Sequence, residues 1–141
     1  MLPSPNGSAL SLAAGDTPVL TGCLRNARAV AAAVAGYGHR VAVIAAGERW
    51  PAGGLRPAWE DLVGAGAIIA HLPGAPSPEA RAARAAYADA YPDLPRLLAE
   101  CGSGREIIER GFAHDVALAA EVDVSAAAPT LVEGAFVDRA V

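Results

Sequence analysis

The sequence predicts one α/β domain over residues 1–141, a three-layer α/β/α arrangement built on a mainly parallel sheet. A strand, a helix and a second strand follow one another within about thirty residues, as in a βαβ unit. No repeat, linker or charge block divides the 141 residues. Only two strands are clearly defined, however, and two strands make a small sheet for four to six helices. We therefore expect the sheet to lack strands that another segment or chain supplies.

The βαβ unit lies near the start of the chain. Residues 17–22 (TPVLTG) form a short β-branched run bounded by glycine, which predicts a buried strand. Residues 25–38 are rich in alanine and close on Gly36 and Gly38, a pattern typical of a helix. Residues 40–46 (RVAVIAA) are the clearest strand of the sequence. We expect the two strands to pair in parallel through a right-handed crossover.

The rest of the sequence predicts five helices and a final strand. One helix follows Pro57 and runs to about residue 71, and a second begins with Ser77 as its cap and Pro78 at its first position. Shorter helices are predicted over residues 93–102, 103–111 and 112–123. Ser103 and Glu106 have the spacing of a capping box at the start of one of them. Residues 130–132 predict the last strand.

Composition excludes several classes of function. The net charge is −4 and all 11 basic residues are arginines scattered without a stripe, which disfavours nucleic-acid binding. The longest apolar stretch, near residues 65–72, is too short to span a bilayer, so no membrane role is expected. Cys23 and Cys101 share no metal-type spacing and are typical of reduced thiols. We expect a cytoplasmic protein.

Charged residues concentrate in two loops that follow the predicted strands. Ligands of open α/β sheets bind beyond the carboxyl ends of the strands, where both loops would lie. The residues expected to meet there are Arg25, Asn26, Glu48, Arg49, Arg56, Glu60 and Asp61. Carboxylates hold Mg²⁺ and guanidinium groups grip phosphate at two points, so this group suits a phosphate ester. The alternative for Glu60 and Asp61 is a favourable interaction with the helix dipole alone.

Two further segments are candidate anion sites. Gly7 allows a sharp turn before an apolar run, so residues 4–11 could present helix N–H groups to an anion, or could form a plain turn and cap. Cys101 and Arg105 invite comparison with cysteine phosphatases. Only three residues separate them, too few for the five-residue phosphate cradle, so a nucleophilic Cys101 is rejected.

Longer stretches of the sequence together resemble the 2-phosphosulfolactate phosphatase family. They are PNGSALS, GCLRNARAVA, VAVIAAGERW, LRPAWEDLVGAGAIIAHL, SPEARAA, CGSGREIIERGFAHDVALAAEVDVS and PTLVEGAF, in order along nearly the whole chain. The resemblance implies an α/β phosphatase that depends on Mg²⁺. The implied reaction converts 2-phosphosulfolactate to sulfolactate and phosphate, a step toward coenzyme M in methanogens.

The resemblance also implies roles for particular residues. The family's asparagine-glycine turn falls on Asn6 and Gly7, and its arginine-asparagine segment falls on Arg25 and Asn26. Glu48 and Arg49 occupy the family's strand-end loop. These six residues are expected to bind the substrate, a small anionic phosphate ester. The family's glutamate-aspartate pair falls on Glu60 and Asp61, which are expected to hold Mg²⁺ and to act in catalysis.

Family proteins carry more chain before the asparagine-glycine turn, and this sequence begins at that turn. The chain therefore resembles the C-terminal part of a family member, which would explain the missing strands. Two hypotheses follow. One is a Mg²⁺-dependent phosphatase domain, and the other is a truncated, non-catalytic half-domain that pairs with another chain. Either way we expect a homo-oligomer or pairing with a missing N-terminal half, because an unpaired sheet edge is a liability.

Overall fold

The computed structural model describes residues 6–138, which form seven α-helices and two small antiparallel sheets. The helices are α1 (Gly7–Ala13), α2 (Ala27–Val34), α3 (Trp59–His71), α4 (Pro78–Ala90), α5 (Leu94–Glu100), α6 (Gly102–Glu109) and α7 (Ala113–Ala119). The strands are β1 (Glu48–Arg49), β2 (Leu55–Arg56), β3 (Pro129–Val132) and β4 (Ala135–Asp138). Short 3-10 turns at Leu24–Asn26 and Tyr91–Asp93 lead into α2 and α5. The α/β class is confirmed.

The helices form where propensity and capping predict them. Ser77 caps α4 by accepting a hydrogen bond from the Ala80 amide at 3.2 Å, and Pro78 occupies the first helical position. The predicted capping box at Ser103 and Glu106 is wrong, because α6 begins at Gly102 and is capped by Cys101, which leaves Ser103 inside the helix. The longest helices have 13 residues. Among the described residues no helix is both long enough and apolar enough to cross a bilayer.

The strands differ most from the sequence prediction. Residues 17–22 form only an isolated antiparallel bridge, in which Leu20 faces Thr130. Residues 40–46 pair with nothing in the described chain, so the predicted parallel pair is absent there. The final strand is confirmed as β3, and it pairs with β4 rather than with a parallel neighbour. The reason is physical: a β-type sequence favours extended backbone, but a strand also needs a partner for its N–H and C=O groups.

The core lies among the helices and consists mainly of small side chains. Leu94 and Val63 are the largest side chains that are fully buried. Around them pack the buried residues Leu24, Ala27, Val30, Ala31, Ala67, Ile68, Ala90, Leu98, Val116 and Ala120. Helices with so many alanines must approach closely to exclude water and gain dispersion contacts.

That close approach depends on glycine where α3 meets α4. A Cβ atom on Gly66 would overlap the Ala83 carbonyl and would lie 2.8 Å from the Tyr87 Cβ. Two turns of helix backbone therefore meet at Gly66 without room for a methyl group. Gly64, on the same helix, has open space around the position that a Cβ would take.

We predict that Gly66→Ala destabilises the fold and that Gly64→Ala does not. Overpacking costs roughly 1–3 kcal/mol, whereas an unobstructed helical Gly→Ala change stabilises by about 0.5–1 kcal/mol. Urea unfolding followed by circular dichroism measures both variants. Equal stability of the two variants would show that α3 and α4 do not meet closely at Gly66.

Candidate active site

The main chain of Gly47 connects three segments that the sequence predicts to share a site. The Gly47 amide donates to Oδ2 of Asp61 at 2.7 Å, and its carbonyl accepts from Nδ2 of Asn6 at 2.7 Å. Oδ1 of Asn6 in turn accepts from Nε of Arg49 at 2.9 Å. We call these four residues, Asn6, Gly47, Arg49 and Asp61, the Gly47 cluster. The structure thus brings together three of the predicted site residues from distant parts of the chain.

Glycine at position 47 is required by conformation and by space. Its φ is +68°, a region in which a side chain is strained. A Cβ would also lie 2.7 Å from Cδ1 of Leu55 and 3.1 Å from the Arg56 carbonyl oxygen. The hairpin of β1 and β2, with Glu48 opposite Arg56, begins immediately after this residue. Gly47 therefore sets the direction in which the hairpin leaves the cluster.

Asp61 and its neighbour Glu60 stand in the first turn of α3. Burial raises the pKa of Asp61, the hydrogen bond from the Gly47 amide lowers it, and the charge of Glu60 raises it further. The two carboxylates thus repel each other in a partly desolvated position, which a cation would relieve. The favourable helix dipole remains a sufficient reason for acids at this position as well.

Glu60 and Asp61 could hold magnesium in only one kind of arrangement. Residues 6–138 contain no group of three or more His, Cys, Asp or Glu side chains that could enclose a metal ion. Mg²⁺ is commonly held by one or two carboxylates, with water and substrate phosphate completing its octahedron. Glu60 and Asp61 are suited to that arrangement, in which the metal binds together with its substrate.

Arg56 fastens the hairpin to α6. Its Nη1 and Nη2 donate to the two carboxylate oxygens of Glu106 at 2.6 and 3.2 Å, and its Cζ lies 5.6 Å from the ring centroid of Trp50. The hydrogen bond from Arg56 lowers the pKa of Glu106. The sequence does not predict this partnership, because the spacing of Glu106 indicates only a local capping role. No local spacing marks a pair of residues 50 positions apart.

Cys101 lies beside the carboxylate pair. Its Sγ is 3.2 Å from the Leu98 carbonyl oxygen and 3.7 Å from Oε2 of Glu60, and it accepts from the Gly104 amide at 3.4 Å. Burial is the main cause that raises the pKa of this thiol. A raised pKa disfavours the thiolate that a nucleophilic cysteine needs. No local pattern in the sequence predicts Cys101 at this site, and only the fold brings it there.

Arg25 and Asn26 are engaged with a different part of the chain. Nη1 of Arg25 donates to the Leu118 carbonyl at 2.9 Å and forms an ion pair with Glu121. Asn26 is 7% exposed, accepts from the Cys23 amide at 2.8 Å and donates to the Ala127 carbonyl at 3.0 Å. These side chains tie the turn before α2 to residues 118–127. The structure shows no hydrogen bond between them and the Gly47 cluster within residues 6–138.

Two more of the predicted residues lie near the Gly47 cluster. Gly7 opens α1 directly after Asn6, and its carbonyl accepts from the Ser11 hydroxyl at 2.7 Å. Ser4 and Pro5 of the same predicted segment lie outside the described residues. Glu48 is exposed on β1, and its charge helps to raise the pKa of Arg56, after the larger effect of the Glu106 hydrogen bond. Both residues border the site without entering its hydrogen-bond network.

Paired carboxylates beside arginine and asparagine, gathered at the entrance of a helix, define a site suited to a phosphate ester. Residues 1–134 match the family model described as 2-phosphosulpholactate phosphatase, so the chain belongs to this family. It is 26% identical over 141 residues to a probable 2-phosphosulfolactate phosphatase of Pseudothermotoga lettingae. That alignment covers 99% of this chain and 60% of the relative, so the chain spans about three fifths of the relative's length.

We predict that Gly47→Ala disrupts the cluster more than Gly53→Ala does. Both glycines have positive φ, but the space around Gly53 is open whereas Gly47 is enclosed by Leu55 and Arg56. The shared backbone strain costs about 1 kcal/mol, and the clash at Gly47 adds roughly 1–3 kcal/mol. Thermal unfolding of the two variants measures the difference. An equal loss of stability would mean that residue 47 is not packed against the hairpin.

Proposed function

We propose that the protein is a Mg²⁺-dependent phosphatase that hydrolyses a small acidic phosphate ester, with 2-phosphosulfolactate as its substrate and sulfolactate and phosphate as products. Membership of the family supports the reaction. The observation that carries the proposal is the Gly47 cluster, in which a series of three hydrogen bonds holds Arg49 at one end and Asp61 at the other. A cationic group and an anionic group are thereby fixed on either side of a single loop.

In this proposal Arg49 binds the anionic substrate. Only Nε of Arg49 is used, on Asn6, and its terminal nitrogens have no hydrogen-bond partner within residues 6–138. Those nitrogens can donate to phosphate or sulfonate oxygens in two-point fashion. Asn6 restricts the rotation of the guanidinium group and so reduces the entropy lost on binding. Gly7 and Glu48 border the same space and are proposed to shape it.

Glu60 and Asp61 are proposed to hold the metal. Bound Mg²⁺ would neutralise phosphate charge and polarise the phosphorus centre. The Gly47 amide holds one oxygen of Asp61 and thereby fixes the orientation of its carboxylate. The mutual repulsion of Glu60 and Asp61 supports the assignment, because it leaves negative charge uncompensated at this point.

For Arg25 and Asn26 we propose a structural role in place of the substrate-binding role that the family resemblance implies. Both side chains are already bonded to residues 118–127, and Asn26 is buried. The amide oxygen and the amide nitrogen of Asn26 each already have a partner, and burial keeps a substrate from reaching what capacity remains. Their contribution to the site would be indirect, through the position of the turn before α2.

We place the reaction in the cytoplasm. Cys23 and Cys101 are both free cysteines, and Cys23 is exposed. An exposed free thiol is typical of a reducing compartment, where thiols are kept from oxidation.

A second function is favoured by a separate observation. Residues 38–46 make no main-chain hydrogen bond within the described chain. This unpaired segment suits a non-catalytic domain that acts by pairing with another polypeptide. The two functions differ in one measurable respect, the release of phosphate.

The phosphatase is tested by chelation, with Asp61→Asn as the matched variant. We expect phosphate release from 2-phosphosulfolactate to stop in EDTA and to return with Mg²⁺, and Asp61→Asn to lower kcat on the order of 100-fold. The variant should remain folded, since its amide oxygen still accepts from Gly47. The pKa of Asp61 is raised in the folded state, so above that pKa its charged carboxylate lowers the free energy of unfolding. Asn carries no charge at this position, so Asp61→Asn should be at least as stable as the unmodified protein at pH 7.

Activity that persists in EDTA would remove the metal from the proposal. A folded protein that releases no phosphate with Mg²⁺ present would favour the non-catalytic function instead.

Arg49→Ala should impair activity more than Arg105→Ala. Arg49 is held at the Gly47 cluster, whereas Arg105 is an exposed residue within α6. Loss of charge-assisted hydrogen bonds to substrate costs about 1.5–3 kcal/mol, or roughly 10–100-fold in kcat/KM. Steady-state kinetics of both variants measure this, and Arg105→Ala controls for the loss of one positive charge. The opposite order would place the anion site at the start of α6.

A further inference from the structure

The hairpin that carries Arg49 has no buried core of its own. Its strands β1 and β2 contain two residues each, and residues 48–55 are all exposed. A two-stranded hairpin is at most marginally stable by itself in water. Its position therefore depends on contacts with the rest of the chain. Within residues 6–138 its side chains donate hydrogen bonds to other segments from two residues, Arg49 and Arg56.

The two arginines anchor the hairpin from opposite faces. Glu48 pairs with Arg56 across the two strands, and Arg49 pairs with Leu55. Because side chains alternate along a strand, Arg56 shares one face with Glu48 and with Trp50, whose ring centroid is 5.6 Å from its Cζ. Arg49 lies on the opposite face. One face is thus bonded to α6 and the other to the beginning of the described chain.

The anchor at Arg56 constrains the hairpin more than the anchor at Arg49. Nη1 and Nη2 of Arg56 donate to the two carboxylate oxygens of Glu106 at 2.6 and 3.2 Å. Arg49 donates a single hydrogen bond to the amide oxygen of Asn6, at 2.9 Å. A two-point contact between ionised groups fixes both position and orientation, which a single hydrogen bond does not.

Glu106 belongs to a part of the chain that is tied to the proposed metal ligands. A Cβ on Gly104 would overlap the Leu98 carbonyl, so the start of α6 lies directly against α5. Sγ of Cys101, which caps α6, is 3.7 Å from Oε2 of Glu60 in the first turn of α3. The starts of α6 and α3 are therefore in contact, and the ion pair with Glu106 joins the hairpin to both.

We propose that Glu106 is a positioning residue for substrate binding: by holding Arg56 it fixes the hairpin, and the hairpin fixes the guanidinium group of Arg49. This role rests on the phosphatase function proposed above, in which Arg49 binds the anionic substrate. Without the anchor at Arg56, the hairpin can turn about Gly47, and Arg49 has to be ordered when substrate binds. That ordering lowers affinity for substrate and leaves the carboxylates of α3 in place.

Kinetics of Glu106→Ala test this role, with Glu100→Ala as the matched control. Glu100 forms an exposed ion pair with Arg96 on α5 that involves no residue of the hairpin. We expect Glu106→Ala to raise KM for 2-phosphosulfolactate about 3–10-fold, the cost of ordering one arginine side chain, and to leave kcat within about twofold. Glu100→Ala should change neither constant. Glu106→Gln, which keeps one acceptor oxygen for Arg56, should have an intermediate KM.

A double-mutant cycle shows whether Glu106 acts through Arg49. In an Arg49→Ala background, Glu106→Ala should raise KM by less than about twofold, because no guanidinium group remains to be positioned. A general loosening of the fold would instead have its full effect on KM in both backgrounds.

Limited proteolysis follows the hairpin independently of activity. Trypsin cleaves after arginine, and the Arg49–Trp50 peptide bond lies in the hairpin. We expect Glu106→Ala to be cut at this bond at least about fivefold faster than Glu100→Ala or the unmodified protein, because local opening exposes it. Mass spectrometry identifies the cut. Both variants should stay folded by circular dichroism, since the side chains of Glu106 and Glu100 are 45% and 59% exposed.

The outcomes separate this role from the phosphatase itself. Phosphate release with equal KM in Glu106→Ala and Glu100→Ala would overturn the positioning role alone, and so would equal cleavage after Arg49 in these two variants. A full effect of Glu106→Ala in the Arg49→Ala background would also overturn it. No phosphate release by the unmodified protein with Mg²⁺ present would overturn the proposed function and this role together.

Discussion

The peptide unit of Gly47 is the constraint on which the candidate site depends. Its N–H group is committed to Asp61 and its C=O group to Asn6, so a single residue joins the beginning of the described chain to α3. The left-handed conformation at this point also directs the hairpin toward α6, where Arg56 meets Glu106. Any movement of this peptide would disturb the carboxylate, the arginine and the hairpin together, because all three take their positions from it.

The sequence predicted the helices better than it predicted the strands. The signals for helices are local: alanine content, the cap Ser77 with Pro78 after it, and the closing glycines. The helices form where these signals predict them. The strand at residues 40–46 had an equally clear signal, but its pairing depends on a neighbour that no local pattern specifies. Within the site, hydrogen bonds join Asn6, Arg49 and Asp61 through Gly47, and the roles of the three residues stay predictions. Arg25 and Asn26 were expected beside them, yet the structure engages them with residues 118–127.

Glycine also determines how closely α6 packs against the end of α5, and so where α6 places its side chains at the site. A Cβ on Gly104 would overlap the Leu98 carbonyl, so α6 can fold back tightly on the end of α5 only without one. That tight turn carries Cys101 to within 3.7 Å of Glu60 and aims Glu106 at Arg56. The contacts that join α6 to the site therefore rest on the same small-residue packing that holds α3 against α4.

The distribution of aromatic residues has an optical consequence. The chain has two tryptophans, and both flank the site: Trp50 lies in the hairpin under Arg56, and Trp59 is the first residue of α3. The fully buried core around Leu94 and Val63 is aliphatic. Intrinsic tryptophan emission is therefore a local signal from the two edges of the loop between Gly47 and α3. A displaced hairpin would alter its wavelength and quenching while the helical signal in the far ultraviolet stayed constant.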